Sequence, residues 1–228
     1  MTELRTRNIV LVHGAFADGS GWKPVADILT KDGYKVSIVQ PPMTSLEDDV
    51  AATRRVLDRQ EGPVVLVGHS YGGAIITEAG NSPKVAVLVY VAAFAPDAGE
   101  ALGALLQKTP PASTGIAPTD DGFLFLDPGV YATDFAGDLP KAEAEFMALS
   151  QMPVAGKAFG TPINAPAWRE KPTYGIVATQ DRMINPDLER FMYKRANAHV
   201  TEIEGSHVIF ISQPGAVANV IARAAGAT

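Results

Sequence analysis

The sequence has no cysteine and no long apolar run. The absence of cysteine excludes a disulfide framework, a thiolate nucleophile and a metal site built on cysteine. A membrane-spanning helix needs roughly 18 consecutive apolar residues, and no stretch of this sequence approaches that length. The first seven residues are polar and lack the apolar core of a signal peptide. We therefore expect no membrane association and a cytoplasmic location.

Basic residues are scarce as well. The 19 lysines and arginines are outnumbered by 25 aspartates and glutamates, which gives a net charge of −6, and no basic run occurs. This balance argues against a nucleic-acid partner. The glycine-rich stretch 19–21 lacks the spacing of a phosphate loop or a dinucleotide fingerprint, and no metal or organic cofactor is implied.

Short apolar runs alternate with amphipathic stretches along most of the 228 residues. Runs that are apolar throughout are typical of strands buried on both faces, as in a parallel sheet. Strands that alternate with helices predict an α/β fold with right-handed crossovers. The predicted strands are 9–12, 35–39, 63–67, 85–91, 173–178 and 200–203, and the predicted helices are 22–31, 45–60, 74–81, 186–195 and 214–225.

The alternation breaks between residues 97 and 171. This stretch is rich in proline, and it contains one predicted strand at 123–126 and one predicted helix at 141–149. It is too short and too proline-rich to form a large core of its own. We therefore expect a cap or lid insertion at 97–171, between two parts of one core domain at 1–96 and 172–228.

A serine stands at the sharpest turn of the predicted fold. Ser70 lies in a Gly-x-Ser-x-Gly pattern, with Gly68 before it and Gly72 after it, between an apolar strand and an apolar helix. This setting is typical of a nucleophile elbow, in which the serine hydroxyl projects above the sheet. The pattern alone is weak, and its place between strand and helix makes it specific.

A serine hydroxyl needs a base to become a nucleophile at neutral pH. The chain has four histidines, of which His13 ends the first strand, His69 is part of the elbow and His199 opens a late strand. His207 follows the last strand, in a loop at the same sheet edge as Ser70, where α/β proteins bind ligands. We identify His207 as the base, and the competing interpretation is an ordinary surface histidine.

The base needs a carboxylate that orients it. Asp181 follows the strand that ends at Ala178, and the chain order Ser, Asp, His is the one expected for this architecture. Asp97, just past the strand ending at Val91, is the competing candidate. We favour Asp181 because of its strand, although either residue is also a common former of turns.

An oxyanion hole needs two N–H donors that point at the developing charge. The Tyr71 N–H, at the start of the helix after the serine, is one candidate. The other belongs to the loop after the first strand, where Gly14 permits close approach and Ala15 is preferred over Phe16 as the donor. A plain glycine-containing turn is the alternative interpretation of this loop.

These motifs together resemble the α/β-hydrolases, and specifically the small plant-type esterase group that includes methyl salicylate esterases and hydroxynitrile lyases, with its bacterial relatives. The resemblance implies a triad of Ser70, Asp181 and His207, with Asp97 outside it. It also implies about six parallel strands, because the two leading strands of the full fold have no counterpart here. The matching segments are 10–15, Trp22, 67–73, 91–97, 178–181 and 205–207.

Two positions depart from the hydroxynitrile lyases of that group. Those enzymes carry a lysine directly after the catalytic histidine and a threonine in place of the glycine after the first-strand histidine, whereas this chain has Val208 and Gly14. The departures favour ester hydrolysis over cyanohydrin cleavage.

We expect a serine hydrolase that acts on a small apolar ester or lactone. The alternatives are a cofactor-free lyase, perhydrolase or C–C bond hydrolase on the same triad, or a ligand receptor without activity; the oligomeric state, monomer or dimer, is open. The residues expected to bind substrate are Phe16, Trp22, Phe94, Met183 and Val208. Apolar cap residues, a minority of which should contact substrate, are Leu102, Leu105, Leu106, Phe123, Phe125, Phe146, Met147, Met152, Phe159 and Trp168.

Overall fold

The structure is a computed structural model that describes residues 6–226. Within that range the strands are β1 (Asn8–Val12), β2 (Lys35–Val39), β3 (Val64–Ser70), β4 (Val85–Ala93), β5 (Ile116–Pro118), β6 (Phe123–Leu126), β7 (Val154–Ala155), β8 (Thr173–Ala178) and β9 (His199–Ile203). The helices are α1 (Lys23–Lys31), α2 (Leu46–Asp58), α3 (Gly72–Ala79), α4 (Leu102–Lys108), α5 (Pro128–Asp134), α6 (Lys141–Ser150), α7 (Gly156–Gly160), α8 (Pro186–Arg195), α9 (Ile209–Ser212) and α10 (Pro214–Gly226).

Six of the strands form one parallel sheet in the order β2-β1-β3-β4-β8-β9. Its inner strands β1 and β3 are buried along their whole length, as continuous apolar runs require. Helices flank the sheet, with α1 against α10 and α2 against α3. The predicted six-stranded parallel α/β fold is confirmed.

The strand order positions the candidate site. The chain moves from β1 to one edge of the sheet, and after β3 it builds toward the other edge. Loops that follow β1 and β3 therefore diverge and leave a crevice at the carboxyl ends of these two strands. The loop at residues 13–16 and the elbow serine both lie at this crevice.

Residues 97–171 form a separate group of short elements. They comprise four helices, α4 to α7, and a small antiparallel sheet in the order β5-β6-β7. The strand predicted at 123–126 and the helix predicted at 141–149 are confirmed as β6 and α6. The remaining elements have two to seven residues, too few for a hydrophobic period to become visible. The role of this stretch as a cap stays a prediction, and we call it the predicted cap.

The described residues include no helix long and apolar enough to cross a membrane. The polar stretch on which the expectation of no signal peptide depends begins at residue 1, and residues 1–5 lie outside the described range.

Candidate active site

The elbow holds its serine in an unusual backbone conformation. Ser70 ends β3 with φ of 54°, in the left-handed region that side chains other than glycine rarely adopt. A Cβ on Gly68 would lie only 2.5 Å from the carbonyl oxygen of Gly72, so β3 and α3 pass each other only because residue 68 has no side chain. Such strain in a close-packed turn is a frequent property of functional sites.

Three distant side chains meet at this turn. The Nε2 atom of His207 lies 2.8 Å from the Oγ atom of Ser70, and its Nδ1 atom lies 2.6 Å from Oδ2 of Asp181. His207 and Asp181 are 1% and 4% exposed, so the chain of hydrogen bonds is shielded from bulk water. This arrangement can move a proton away from the serine hydroxyl and stabilise the resulting imidazolium.

The Asp181 carboxylate is fixed on its other side by the backbone. Its Oδ1 atom accepts hydrogen bonds from the N–H groups of Met183 at 2.7 Å and Ile184 at 3.0 Å. Asp97, the competing candidate, instead forms an ion pair of 2.6 Å with Arg169 at the base of the predicted cap. The structure therefore brings Asp181, and not Asp97, to the histidine.

The other three histidines have different partners. Both ring nitrogens of His13 are engaged, by the Gly14 carbonyl and the Gln40 side chain, and burial lowers its pKa. His69 is fully buried, and its Nε2 atom lies 2.9 Å from the carbonyl oxygen of His207. Burial, and then the nearby His207, hold the pKa of His69 well below its usual value. His199 is exposed at the start of β9.

Two backbone N–H groups beside Ser70 are available to an oxyanion. Within residues 6–226, the amides of Ala15 and Tyr71 donate no hydrogen bond. The alternative donor is already engaged, because the Phe16 N–H donates to the carbonyl of Met152 at 3.0 Å. The Phe16 N–H is therefore not free in this structure, and the assignment of Ala15 and Tyr71 as the oxyanion donors stays a prediction.

A small apolar cavity opens beside Ser70. Three of the five residues predicted to bind substrate line it, together with two of the predicted cap residues, Leu106 and Phe159. Ile116, on the short strand β5, also lines it and was not predicted. Ser70 and His207 are the polar residues of its wall, and the apolar lining is Ala15, Phe16, Phe94, Leu106, Ile116, Phe159, Met183 and Ile184.

The other two residues expected to bind substrate do not line this cavity. Trp22 is fully buried, with its ring 4.4 Å from that of Phe210. Val208 is fully buried as well, and its N–H donates to the Ser206 hydroxyl behind the histidine. Both side chains pack behind the site and do not line its cavity. A match to a family motif cannot distinguish such packing residues from residues that line the cavity.

Most of the apolar cap residues considered as substrate contacts do not line this cavity either. Phe146 is 67% exposed, and Phe123 and Phe125 line a separate surface depression. The indole N–H of Trp168 donates to the Pro96 carbonyl. Leu102, Leu105, Met147 and Met152 are also absent from the wall of the Ser70 cavity.

A buried glutamate behind the acid was not predicted from the sequence. Glu189 is fully buried one turn into α8, where its Oε2 atom accepts from the Ala178 N–H and its Oε1 atom has no hydrogen-bond partner among the described residues. Burial, and then the charge of nearby Asp181, raise the pKa of Glu189 well above its usual value. Its helical spacing with the buried residues Met192 and Tyr193 was the available signal.

The chain matches a known protein family along most of its length. Residues 9–220 match the alpha/beta hydrolase family. The chain belongs to the alpha/beta hydrolase family. This alpha/beta hydrolase is 32% identical to a pyrethroid hydrolase from Sphingobium wenxiniae, over 96% of the present chain and 88% of that relative. The crystal structure of a pyrethroid hydrolase from Sphingobium faniae, 26% identical, superimposes with a TM-score of 0.82 over 96% of this chain and 97% of that one.

Further relatives of this alpha/beta hydrolase are named as esterases. A carbendazim hydrolyzing esterase from a Nocardioides strain is 37% identical over 46% of the chain, and the match spans about half the length of that esterase. Methylesterase 2 of Arabidopsis thaliana is 25% identical over 93% of each chain. The predicted resemblance to the plant-type esterase group is confirmed, and the protein is an enzyme of the hydrolase class.

Proposed function

We propose that this protein is a carboxylic ester hydrolase in which Ser70, His207 and Asp181 form and break an acyl-enzyme. The observation that carries the proposal is the pair of short hydrogen bonds, 2.8 Å and 2.6 Å, that joins these three side chains. As the Ser70 oxygen attacks the ester carbonyl carbon, its proton passes to Nε2 of His207. Asp181 holds the imidazole in the required orientation and stabilises its charged form.

The carbonyl oxygen gains a negative charge in this step. The amides of Ala15 and Tyr71, at the crevice between β1 and β3, are the donors we assign to it. A donor that is fixed before the reaction contributes roughly 3 kcal/mol to such a transition state. Tyr71 also directly precedes α3, whose N-terminal dipole has the sign that favours an anion.

The acyl-enzyme then forms and is hydrolysed, and His207 carries the proton in each of these steps. Collapse of the first tetrahedral intermediate breaks the bond to the alkoxy group, which leaves as the alcohol with the proton from His207. A water molecule next gives its proton to His207 and attacks the acyl carbon. The second collapse breaks the acyl bond to the Ser70 oxygen, which recovers the proton, and the carboxylic acid is released.

The walls of the cavity support a small, uncharged and apolar substrate. No charged side chain belongs to the lining beside Ser70 and His207 in the described residues. The open space has a volume of about 20 Å³, which is room for a single water molecule. The narrowness of this space favours a short acyl group, and an ester or a lactone presents the same carbonyl. Relatives named as esterases and a methylesterase support the ester class.

Labelling of the nucleophile tests this function directly. A fluorophosphonate probe should modify Ser70, as located by peptide mass spectrometry, and the protein should hydrolyse p-nitrophenyl acetate or butyrate. Ser70→Ala should abolish both, lowering turnover on the order of 10⁴-fold. Absence of labelling and turnover, combined with tight binding of apolar ligands, would favour a receptor. Mandelonitrile cleavage faster than ester hydrolysis would favour a lyase.

A further inference from the structure

One short stretch of the predicted cap contacts the loops that carry each part of the candidate site. It comprises residues 131–138, the end of α5 and the turn that follows, and we call it the clamp segment. Its contacts reach the oxyanion loop, the Asp181 loop and the His207 loop.

The first contact holds the oxyanion loop. The buried hydroxyl of Tyr131 donates to the carbonyl oxygen of Phe16 at 2.7 Å. Phe16 has φ of 61°, a conformation that a bulky residue keeps only when its surroundings enforce it. The bond to Tyr131 therefore helps to fix the peptide that follows Phe16, in the same short loop as Ala15, whose N–H we assign to the oxyanion.

The second contact holds the loop of the acid. Oδ1 of Asp134 accepts from Nε of Arg182 at 2.8 Å, and Asp134 is 8% exposed. Arg182 directly follows Asp181. A further contact from the predicted cap, between the Ser113 N–H and the Arg182 carbonyl at 2.8 Å, secures the same residue.

The third set of contacts surrounds the base. The ring of Phe135 meets the imidazole of His207 edge-on, with centroids 5.0 Å apart. The carboxylate of Asp138 accepts from both the N–H and the hydroxyl of Ser206, the residue before His207, and the N–H contact measures 2.9 Å. A carboxylate that accepts two hydrogen bonds from one residue fixes both its backbone and its side chain.

We propose that the clamp segment is a positioning element of the esterase, and that Asp138 is the positioning residue for His207. This inference rests on the proposed function. Asp138 does not line the Ser70 cavity, so it acts through the Ser206 peptide and not on substrate. A base displaced by about 1 Å from its nucleophile costs up to about 100-fold in rate. Loss of Asp138 should accordingly affect the chemical step and leave substrate binding intact.

The test compares three variants on p-nitrophenyl butyrate. Asp138→Ala removes both contacts with Ser206, whereas Asp138→Asn keeps an acceptor for the N–H and offers an amide donor to the hydroxyl oxygen, whose proton can turn to the Phe135 carbonyl 3.3 Å away. Asp120→Ala removes an exposed aspartate in the turn between β5 and β6 and is the matched control. We measure kcat, KM, the rate of fluorophosphonate labelling and the melting temperature for each.

We expect Asp138→Ala to lower kcat and the labelling rate together by about tenfold or more, with KM changed less than about twofold. Asp138→Asn should recover kcat to within about threefold of wild type, and Asp120→Ala should match wild type. An alanine variant with wild-type kcat overturns the inference, as does an asparagine variant that is as slow as the alanine variant. A wild-type protein that neither labels nor turns over ester contradicts the proposed function itself, so the two failures are distinguishable.

Discussion

Gly14 and Ser70 lie so close together that a Cβ on Gly14 would be 2.6 Å from the Cβ of Ser70. It would also lie 2.8 Å from the carbonyl oxygen of His69. Because real Cβ contacts are longer, either the elbow or the loop with the Ala15 amide has to shift. We expect Gly14→Ala to lower ester turnover by about 100-fold, through displacement of the nucleophile or the oxyanion donor. Steady-state kinetics on one ester measures this.

A second glycine provides the control for Gly14→Ala. A Cβ on Gly215, at the start of α10, meets nothing within 4 Å. Gly215→Ala should therefore leave turnover unchanged and raise stability slightly, by up to about 1 kcal/mol. Full activity in the Gly14 variant would mean that the close approach is not needed. The same crowding indicates that the threonine of hydroxynitrile lyases does not fit at residue 14 without backbone movement.

Two aspartates at the same sheet edge should differ strongly in their effect on rate. Asp181→Asn replaces the acceptor of the His207 Nδ1 proton with a group that favours the wrong tautomer, and we expect kcat to fall roughly 10³- to 10⁴-fold. Asp97→Asn breaks the ion pair with Arg169, which is half exposed, and should change the rate less than about tenfold. Both variants are assayed on one ester, and the reverse ranking would assign the acid to Asp97.

Glu189 should make the protein less stable as pH rises. Its pKa is raised in the folded state above the usual 4.5, so above that pH the folded state binds more protons than the unfolded chain. The free energy of unfolding then falls with increasing pH. Glu189→Gln keeps a neutral polar side chain and removes this titration. The difference in melting temperature, variant minus wild type, should therefore be larger at about pH 8 than at about pH 5.

An exposed glutamate separates this effect from a general change in charge. Glu170 lies on the surface before β8, and Glu170→Gln, which removes the same formal charge from an exposed position, is the matched control. If the Glu189 variant behaves like the Glu170 variant, the buried carboxyl does not titrate differently in the two states.

The core could be predicted from the sequence because its signals are local and agree with one another. A strand buried on both faces must be mostly apolar, as residues 64–67 of β3 are, and a serine at the end of such a strand, in a glycine-flanked turn, is typical of a nucleophile elbow. Chain order and strand ends then selected Asp181 and His207, because topology brings loops of adjacent parallel strands to one edge.

The predicted cap could not be derived in the same way. Phe146 and Phe159 both lie in short helical stretches, yet Phe146 faces solvent and Phe159 faces Ser70. Only long-range packing decides between them. The contacts of Asp138 and Tyr131 with the site join residues that are far apart in the chain. Sequence periodicity does not predict such long-range pairs. Glu189 was missed because a charged residue on a buried helix face contradicts the usual pattern.

The side chain of Phe159 should limit the size of the acyl group. Its ring stacks on that of Tyr71, with centroids 5.6 Å apart, and closes the cavity from the side of the predicted cap. Phe159→Ala opens apolar space beside Ser70, so esters with longer acyl chains should gain in kcat/KM relative to acetate.

Each methylene accommodated by a pocket is worth about tenfold or more in specificity. We expect the ratio of kcat/KM for p-nitrophenyl hexanoate over acetate to rise about tenfold, whereas Phe146→Ala, which truncates an exposed phenylalanine, should leave it unchanged. Equal ratios in the two variants would place the size limit on another wall, such as Leu106 or Ile116.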